Sequence, residues 1–412
     1  MKKRKLIIAL IIVVAVCLIG GGIVLNKTME ENANAGSEVL NMRLPEKSDD
    51  PNVLNVAMFP YVPNMDFMEK TAEDMFKEIA PEVTLNFVDW DCYISSTPDD
   101  VDVFTFDAAY MYPLLDNGYL KEINIEDFPS AQGIMPFATA ETVVTKDGET
   151  HSYGVPSLLC SYWMIYRDGD EEIAKVNSVN DLYKVIGDNK VGKNSGLLCN
   201  FQDDHPYYYL EAINDDAVEE NRNVEKYLND YNQQAVDTVE KIHKMSRKNW
   251  IQETPLLTWL RGEFATGAEF KDGKGRALIG YSEEMFNLHP VIDNINVKLI
   301  SMGNGDNRTI FFADLTSINA KIKDERKIEN CKKFVDLLVS KDYINKIADN
   351  GGSPTYLLPI RSDCYDSLAA KYPMYSELKS EIDKADKHVA VYGSWINIYV
   401  EHLIAHLTEM IE

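Results

Sequence analysis

The sequence has 412 residues, a formal net charge of −25 and a hydrophobic fraction of 45%. This length exceeds one ordinary hydrophobic core, so more than one globular domain is expected. The composition excludes a wholly disordered chain and a protein with many membrane spans, and the acidic charge disfavours nucleic acid and anionic lipid as partners. A cleft of the same sign would attract a neutral or cationic small molecule rather than a phosphorylated one.

The N-terminus predicts an export signal. A basic segment, MKKRK, precedes the apolar run of residues 6–25, and ANA ends at Ala35, where a signal peptidase could cleave. The apolar run is also long enough to cross a bilayer, so an uncleaved anchor stays open. Residues 36–52 are polar without periodicity and predict a tether. We therefore expect a secreted or extracellular protein, or one anchored at the membrane by residues 6–25.

Alternating strands and helices follow the tether. Residues 53–59 and 83–90 predict strands, and residues 65–80 between them carry apolar side chains at helical spacing. Residues 101–123 predict a strand that runs into a helix ended by Gly118. This succession indicates a parallel sheet whose functional loops follow the carboxyl ends of the strands.

The rest of the chain continues the α/β pattern. Residues 223–248 predict a long helix with one polar face, and residues 275–282 and 296–302 predict strands. Further elements are expected over residues 311–320, which predict a strand that returns to the first lobe, and over the amphipathic helical stretches 327–348 and 394–411.

A crossing between two lobes is predicted at residues 153–170, YGVPSLLCSYWMIYRDGD. The overlapping stretch GETHSYGVP resembles the crossover of extracellular solute-binding proteins of the periplasmic-binding-protein type II fold. That resemblance implies a two-lobed α/β protein, with lobe 1 formed by residues 53–155 and 315–412 and lobe 2 by residues 156–314. The crossing would face the ligand cleft between the lobes. Cys160 lies within it and is either a small core residue or a nucleophile.

The cysteines do not form a recognisable framework. Five follow Cys17, namely Cys92, Cys160, Cys199, Cys331 and Cys364. Because five is odd, at least one lies outside any intramolecular disulfide, and the absence of a C-x-x-C pair disfavours a redox motif and a structural zinc site. Burial habits favour an inert core position for Cys92, Cys199 and Cys331. No metal and no cofactor is expected.

Many stretches of the chain resemble bacterial thiaminase I, a catalytic family with the same two-lobed fold. They are MFPYVP (58–63), DWDCY (89–93), PDDVDVFTFDAAY (98–110), VPSLLCSYWMIYRDGD (155–170), GRALIGYSEEM (275–285), FFADLTSINA (311–320), TYLLPIR (355–361) and YPMYSEL (372–378). The resemblance therefore extends from about residue 53 to about residue 380, with the motifs in the family's order.

The resemblance implies a transferase of the thiamine pyridinylase type. Such an enzyme cleaves thiamine at the methylene between its two rings and replaces the thiazole with another base or a thiol. A thiolate suits this chemistry, because it adds to the pyrimidine and can be expelled again, and a neighbouring base must take the thiol proton. The resemblance assigns the nucleophile to Cys160 and the base to Glu283. Glu284 is adjacent, and in a strand it would point to the opposite face.

The resemblance also implies side chains that hold the aminopyrimidine ring. Asp107 and Asp314 are the polar anchors, and Tyr61 and Tyr93 are ring contacts. Two further positions depart from the family pattern: Phe59 stands where a tyrosine is expected, and Trp259 is placed only with a gap. Four other acidic residues, Asp91, Asp99, Asp100 and Asp102, are predicted to lie in turns or on the solvated surface.

Several alternatives stay open beside the enzyme. A non-catalytic extracellular solute-binding protein for thiamine or a pyrimidine would share the fold and the ring contacts, yet it would need neither thiol nor base. A lipoprotein for sugars or peptides would carry a good lipid-attachment box, and a cysteine peptidase would carry a histidine motif with its cysteine. The leading hypothesis is a monomer whose partners are thiamine and a nucleophilic base or thiol.

Overall fold

A computed structural model describes most of the chain. It covers residues 43–93, 97, 99–146, 148–188, 196–216, 231–246, 265–302 and 308–411. The chain divides into two compact units, Met1–Leu44 and Pro45–Glu412, and the elements below belong to the second. The predicted signal or anchor lies outside the described residues, as does Trp259. Within the described ranges, no helix is both long and apolar enough to span a bilayer.

Strands and helices alternate through the second unit. In chain order the strands are β1 (Val53–Ala57), β2 (Thr84–Phe87), β3 (Val103–Asp107), β4 (Val143–Lys146), β5 (Glu149–Ser152), β6 (Val155–Cys160), β7 (Tyr162–Arg167), β8 (Leu197–Leu198), β9 (Ala277–Tyr281), β10 (Ile295–Lys298), β11 (Arg308–Ile318), β12 (Leu358–Pro359) and β13 (Asp386–Val389). The helices are α1 (Met65–Ile79), α2 (Met111–Asp116), α3 (Pro136–Glu141), α4 (Val179–Ile186), α5 (Phe201–Asp216), α6 (Gln233–Met245), α7 (Ala265–Lys271), α8 (Glu284–Leu288), α9 (Glu325–Leu338), α10 (Lys341–Asp349), α11 (Ser362–Ala369), α12 (Met374–Lys384) and α13 (Ile396–Ile411).

The strands form two main sheets. The larger has the order β12-β6-β11-β3-β1-β2, with β13 also paired to β11. In it β1 runs parallel to β2 and β3, as the sequence predicts, whereas β11 runs antiparallel to β3 and β6. The smaller sheet has the order β10-β7-β9-β8, and β4 pairs only with β5. The larger sheet is therefore mixed, because β11 joins it after the chain has passed through the smaller sheet and runs antiparallel to its neighbours β3 and β6.

The chain passes from the larger sheet to the smaller one at a single residue. β6 ends at Cys160 in the larger sheet and β7 begins at Tyr162 in the smaller one, so that Ser161 joins them. The Ser161 hydroxyl donates a hydrogen bond to the Ile310 carbonyl at 2.8 Å, which fixes the crossing to β11. This passage from the larger sheet to the smaller one falls within residues 153–170, and the predicted division into two lobes stays a prediction.

Both faces of the smaller sheet are buried, in different cores. On β7, Trp163 and Ile165 belong to one apolar cluster, whereas Tyr162 and Met164 belong to another. The alternation follows from the period of two in a strand. The C-terminal helix α13 contributes to the second cluster and packs against α5 and α6.

Helix boundaries follow local capping more closely than apolar periodicity. α1 begins after Asn64, whose side chain accepts from the Phe67 N–H. The predicted helix over residues 327–348 is instead two helices, because the Ser340 hydroxyl accepts from the Tyr343 N–H and starts α10. The single helix predicted over residues 223–248 is wrong as a continuous element. Asn232 caps α6, residues 231 and 232 are not helical, and residues 223–230 lie outside the described ranges.

A buried ion pair joins α9 to the larger sheet. The Lys327 ammonium lies 2.9 Å from the Asp102 carboxylate, and less than a tenth of either side chain is exposed. The second oxygen of Asp102 accepts from the Asn55 N–H at 2.8 Å. The predicted surface position of Asp102 is therefore wrong, because its partners come from distant parts of the chain.

Asp102→Ala is expected to lower the free energy of unfolding by about 3 kcal/mol. The change leaves the Lys327 ammonium and the Asn55 N–H without their buried partner. Asp100→Ala is the matched control, since Asp100 is exposed, and it should change stability by less than about 0.5 kcal/mol. Urea denaturation measures both variants, and equal stability of the two would contradict a structural role for this pair.

Candidate active site

Cys160 stands at the last position of β6, directly before the crossing. It pairs with Phe312 of the antiparallel strand β11, and its side chain is partly exposed. Because β6 lies between β12 and β11 in the larger sheet, the backbone position of Cys160 is well defined. All five cysteines in the described ranges are free; Cys331 and Cys364 are buried, and the other three are partly exposed.

The surroundings of Cys160 disfavour the thiolate. Burial raises the pKa of the thiol well above its usual range, and the carboxylates of Glu283, Asp314 and Asp107 raise it further, in that order. Desolvation and nearby negative charges both raise the pKa of a thiol, because each disfavours the thiolate. The free thiol is therefore protonated at neutral pH, and any nucleophilic role requires a base that takes its proton in the complex.

Glu283 is suited to that role. It lies in the turn between β9 and α8 with only 5% of its surface exposed, and the Ser282 hydroxyl donates to its Oε2 at 3.0 Å. Burial is the main cause that raises the pKa of Glu283 to about 7. A carboxyl group with such a pKa can accept and return a proton near neutral pH.

Glu284 is directed elsewhere, although not for the predicted reason. The sequence interpretation put both glutamates in a strand, but β9 ends at Tyr281 and Glu284 starts α8. Its Oε2 accepts from the Gly267 N–H at 2.6 Å. A side chain at Gly267 would meet the Glu284 carbonyl oxygen, so Glu284 holds α7 closely against α8.

Asp107 and Asp314 lie directly opposite each other on β3 and β11. Both are buried, and burial raises the pKa of Asp107 to about 6 and that of Asp314 well above its usual range. The Tyr93 hydroxyl donates to Asp107 at 2.7 Å, as does the Ala109 N–H at 2.9 Å. Within the described residues, no side-chain hydrogen bond to the Asp314 carboxylate is found. Opposed carboxylates are unfavourable in a sheet unless a proton or a donor ligand lies between them.

A bulge in β6 accompanies Asp314. The register between β6 and β11 shifts between Asp314 and Leu315, which pair with Leu158 and Pro156. Ser157 is the additional residue on β6, and its hydroxyl donates to the Asp314 carbonyl at 3.1 Å. Pro156 lacks an N–H for the ladder, and such positions favour a bulge, which re-aims nearby side chains.

Three aromatic rings gather beside Asp107. The ring centroids of Phe59 and Tyr61 are 5.6 Å apart, and Tyr93 lies 5.6 Å from Tyr61 and 6.3 Å from Phe59. Asp91 orders this group, because it accepts from the Tyr61 hydroxyl and, at 2.8 Å, from the Tyr93 N–H. The predicted turn or surface role for Asp91 did not include this function. A signal was available, because an aspartate often accepts a hydrogen bond from the backbone N–H two residues later, which here belongs to Tyr93.

The opposite side of the site contains aromatic residues that the sequence interpretation missed. The rings of Tyr162 and Tyr281 stack with centroids 4.6 Å apart, and their hydroxyls lie 2.7 Å apart. Phe312 presents its edge to both rings. Tyr162 and Tyr281 each lie two residues from a predicted catalytic position, Cys160 or Glu283. Their closeness in sequence to these two positions was the available signal.

The structure thus brings together seven of the eight sequence-predicted site residues. Cys160, Glu283 and Asp314 are electrostatically coupled, and Asp107 opposes Asp314. Tyr93 bonds to Asp107, and the rings of Phe59 and Tyr61 lie beside that of Tyr93. The eighth, Trp259, lies outside the described residues. Among the described side chains, no group of three His, Cys, Asp or Glu residues is arranged to hold a metal ion.

Comparisons with known proteins identify the family. A family model described as the thiaminase-1 domain matches residues 161–303. The chain is 30% identical over 360 residues to thiaminase-1 of Paenibacillus thiaminolyticus, an alignment that covers 84% of this chain and 85% of that protein. The chain belongs to the thiaminase-1 family. The predicted membership is confirmed.

Solved structures agree with this membership and with the fold. Thiaminase I of Clostridium botulinum, solved in complex with thiamin, is 30% identical with a TM-score of 0.79, covering 87% of this chain and 99% of that one. The maltose-binding protein MalE of Listeria monocytogenes is only 15% identical, with a TM-score of 0.57 over 88% of this chain and 98% of its own. The second likeness concerns the fold alone. The predicted two-lobed periplasmic-binding-protein type II-like fold is confirmed.

Glu283→Gln is expected to speed alkylation of Cys160 by iodoacetamide a fewfold at alkaline pH, because it removes the charge that most raises the pKa of the thiol. The difference should appear as pH rises through about 7, where Glu283 ionises in the wild type. Glu82→Gln, at an exposed position, is the control and should leave the rate unchanged. Peptide mass spectrometry after timed alkylation measures Cys160 alone. An unchanged or slower rate in Glu283→Gln would contradict this coupling.

Proposed function

We propose that this protein is a thiamine-cleaving transferase that replaces the thiazole of thiamine with another nucleophile. The observation that carries the proposal is the coupling of the Cys160 thiol to Glu283, a buried carboxyl group with a pKa of about 7. Membership of the thiaminase-1 family supports the same activity.

The aminopyrimidine ring binds between the carboxylates and the aromatic group. Its exocyclic amine has two N–H donors, and Asp107 and Asp314 offer opposed acceptors from β3 and β11. Tyr93 holds Asp107 in place through its hydroxyl. The flat ring packs against the aromatic side chains, and Phe59 keeps a stacking face although it lacks the hydroxyl of the family's tyrosine.

The chemistry begins with proton transfer. Glu283 takes the Cys160 proton, and the sulfur electron pair forms a bond to C6 of the pyrimidine. This addition ends the ring's aromaticity, so the bond from the methylene carbon to the thiazolium nitrogen breaks. The electron pair stays on the nitrogen, and the thiazole leaves as a neutral molecule. A covalent pyrimidine adduct on Cys160 remains.

The second half reverses the first. A base or thiol adds to the methylene carbon of the adduct, the ring regains its aromaticity, and the Cys160 sulfur is expelled. Glu283 returns its proton to the expelled sulfur, and the acceptor's proton is released to solvent, so that the thiol and the carboxylate are both restored. Because the carboxylate is the active form at the start, activity should be present above about pH 7 and fall as pH drops through that value.

A second candidate is a non-catalytic solute-binding protein for thiamine or a pyrimidine. The likeness of the fold to a maltose-binding protein is what favours it. Binding alone would need the carboxylates and rings but not a thiol coupled to a base. We therefore favour the enzyme.

Cys160→Ser is expected to lose turnover by several orders of magnitude, since a hydroxyl is a far weaker nucleophile at neutral pH, and Glu283→Gln to lose most of the rate. Both should still bind thiamine, because the ring contacts are unchanged. Cys199→Ser, which alters another partly exposed cysteine, is the control and should keep the wild-type rate. Mass spectrometry of products after incubation with thiamine and aniline measures turnover. Thiamine recovered intact from the wild-type reaction would contradict the proposal.

A further inference from the structure

Tyr356 is a buried residue outside the chemistry described above, and its backbone is unusual. Its φ of 58° lies in the left-handed region, which a bulky side chain seldom occupies unless its surroundings hold it there. Its ring stacks on that of Tyr375 of α12, with centroids 5.6 Å apart and planes 22° apart. The Tyr375 hydroxyl donates to the carbonyl of Leu357, the next residue, at 3.3 Å. The side chain of Tyr356 and the backbone beside it are therefore both held by α12.

The loop that contains Tyr356 leads into the strand that lies beside Cys160. β12 begins two residues after Tyr356, and its first residue, Leu358, pairs with Leu159 of β6. Leu159 directly precedes Cys160 in the sequence. A fixed Tyr356 therefore has a fixed position relative to the strand that carries the thiol.

The Tyr356 phenol also contacts the helix that follows Glu283. Its hydroxyl lies 2.8 Å from Nδ1 of His289, the residue directly after α8. The His289 N–H donates to the Phe286 carbonyl, and the Phe286 N–H donates to the Glu283 carbonyl at 3.0 Å. A continuous line of hydrogen bonds therefore connects the backbone of Glu283 with the Tyr356 side chain.

The hydrogen bond between His289 and Tyr356 is possible in every protonation state of the imidazole. A phenol can donate or accept, whereas Nδ1 accepts in one neutral tautomer and donates in the other and in the charged form. The contact is therefore a structural tie and not a switch that pH would open.

Strand pairing alone does not fix the Glu283 side chain. β9 pairs with β7 as far as Tyr281 and Tyr162, which brings the segment that carries Glu283 to the crossing between the sheets. The ladder ends at that pair, and Glu283 lies two residues beyond it, in the turn before α8. The direction of this turn depends on where α8 lies, and the Tyr356 phenol holds the far end of α8.

We propose that Tyr356 and His289 are positioning residues, because their hydrogen bond joins the segment that carries Glu283 to the loop before β12 and so holds this carboxyl group within reach of the Cys160 thiol. The inference rests on the proposed function, in which Glu283 takes the Cys160 proton. Proton transfer requires the two groups to lie within hydrogen-bond reach, so a small shift of α8 would slow it.

The first test removes the tie and keeps the aromatic ring. In Tyr356→Phe, adduct formation on Cys160 at saturating thiamine without an acceptor should slow about tenfold, since a displacement of about 1 Å can cost on the order of a hundredfold. The thiamine concentration for the half-maximal rate should change less than about twofold, because Asp107 and Asp314 lie on other strands. Intact-mass spectra at timed intervals measure both quantities.

Variants of the partner and of a neighbour separate positioning from packing. His289→Ala should show the same loss, and His289→Asn should restore most of the rate, because its amide lies near the place of Nδ1 and can donate or accept. Tyr372→Phe is the matched control. The Tyr372 ring also lies against His289, but its hydroxyl donates to Asp349 at 2.7 Å, so this variant should keep the wild-type rate.

A second measurement does not involve turnover. Glu283→Gln is expected to speed alkylation of Cys160 a fewfold at alkaline pH, because it removes the nearby charge. In the presence of Tyr356→Phe this ratio of rates should fall towards one, since a displaced carboxylate acts less on the thiol. In the presence of Tyr372→Phe it should stay a fewfold.

Three results would overturn the inference: an unchanged rate of adduct formation in Tyr356→Phe, an equal loss of rate in Tyr372→Phe, or an alkylation ratio that Tyr356→Phe leaves unchanged. A wild-type protein that forms no adduct would contradict the proposed function instead. The alkylation ratio would then decide by itself whether the tie sets the position of Glu283.

Discussion

The pairing of β11 with β3 and β6 is the constraint on which the site depends. One register sets Asp314 opposite Asp107, and the other sets Phe312 opposite Cys160. Because side chains alternate along a strand, a slip of one residue would turn Asp314 and Phe312 to the other face. Ser161, bonded to the same strand, fixes where the chain leaves the larger sheet. The position of the Cys160 thiol and those of the Asp107 and Asp314 carboxylates are thus set by a single strand.

The site concentrates buried carboxyl groups around one thiol. Glu283, Asp107, Asp314 and Asp204 all have a pKa raised mainly by burial, and each raises that of Cys160. Such an arrangement works against stability and against a free thiolate. It suits a substrate that arrives with a positive charge, since binding compensates the carboxylates. It also keeps the Cys160 thiol protonated in the free protein.

Those features that depend on a local pattern or on a family motif could be predicted from the sequence. The periodicity of residues 65–80 located α1, and the family motifs located Cys160, Glu283 and Asp107. Features that depend on contacts between distant parts of the chain could not be predicted, such as the buried ion pair of Asp102 with Lys327 on α9. Tyr208 of α5 is a second example, because only tertiary packing places its ring centroid 4.7 Å from that of Tyr162 on β7. The start of α6 at Gln233 depends on a single cap, Asn232, which the apolar periodicity does not reveal.

The central claim is that Cys160 forms a covalent bond to the substrate. The most direct measurement is the intact mass of the wild-type protein after exposure to thiamine without an acceptor, followed by peptide mapping. The account predicts one added aminopyrimidine group, located on Cys160 and released when aniline is supplied. A spectrum without any adduct would contradict the account. So would an adduct on Cys92, the other partly exposed cysteine close to Asp107 and Asp314.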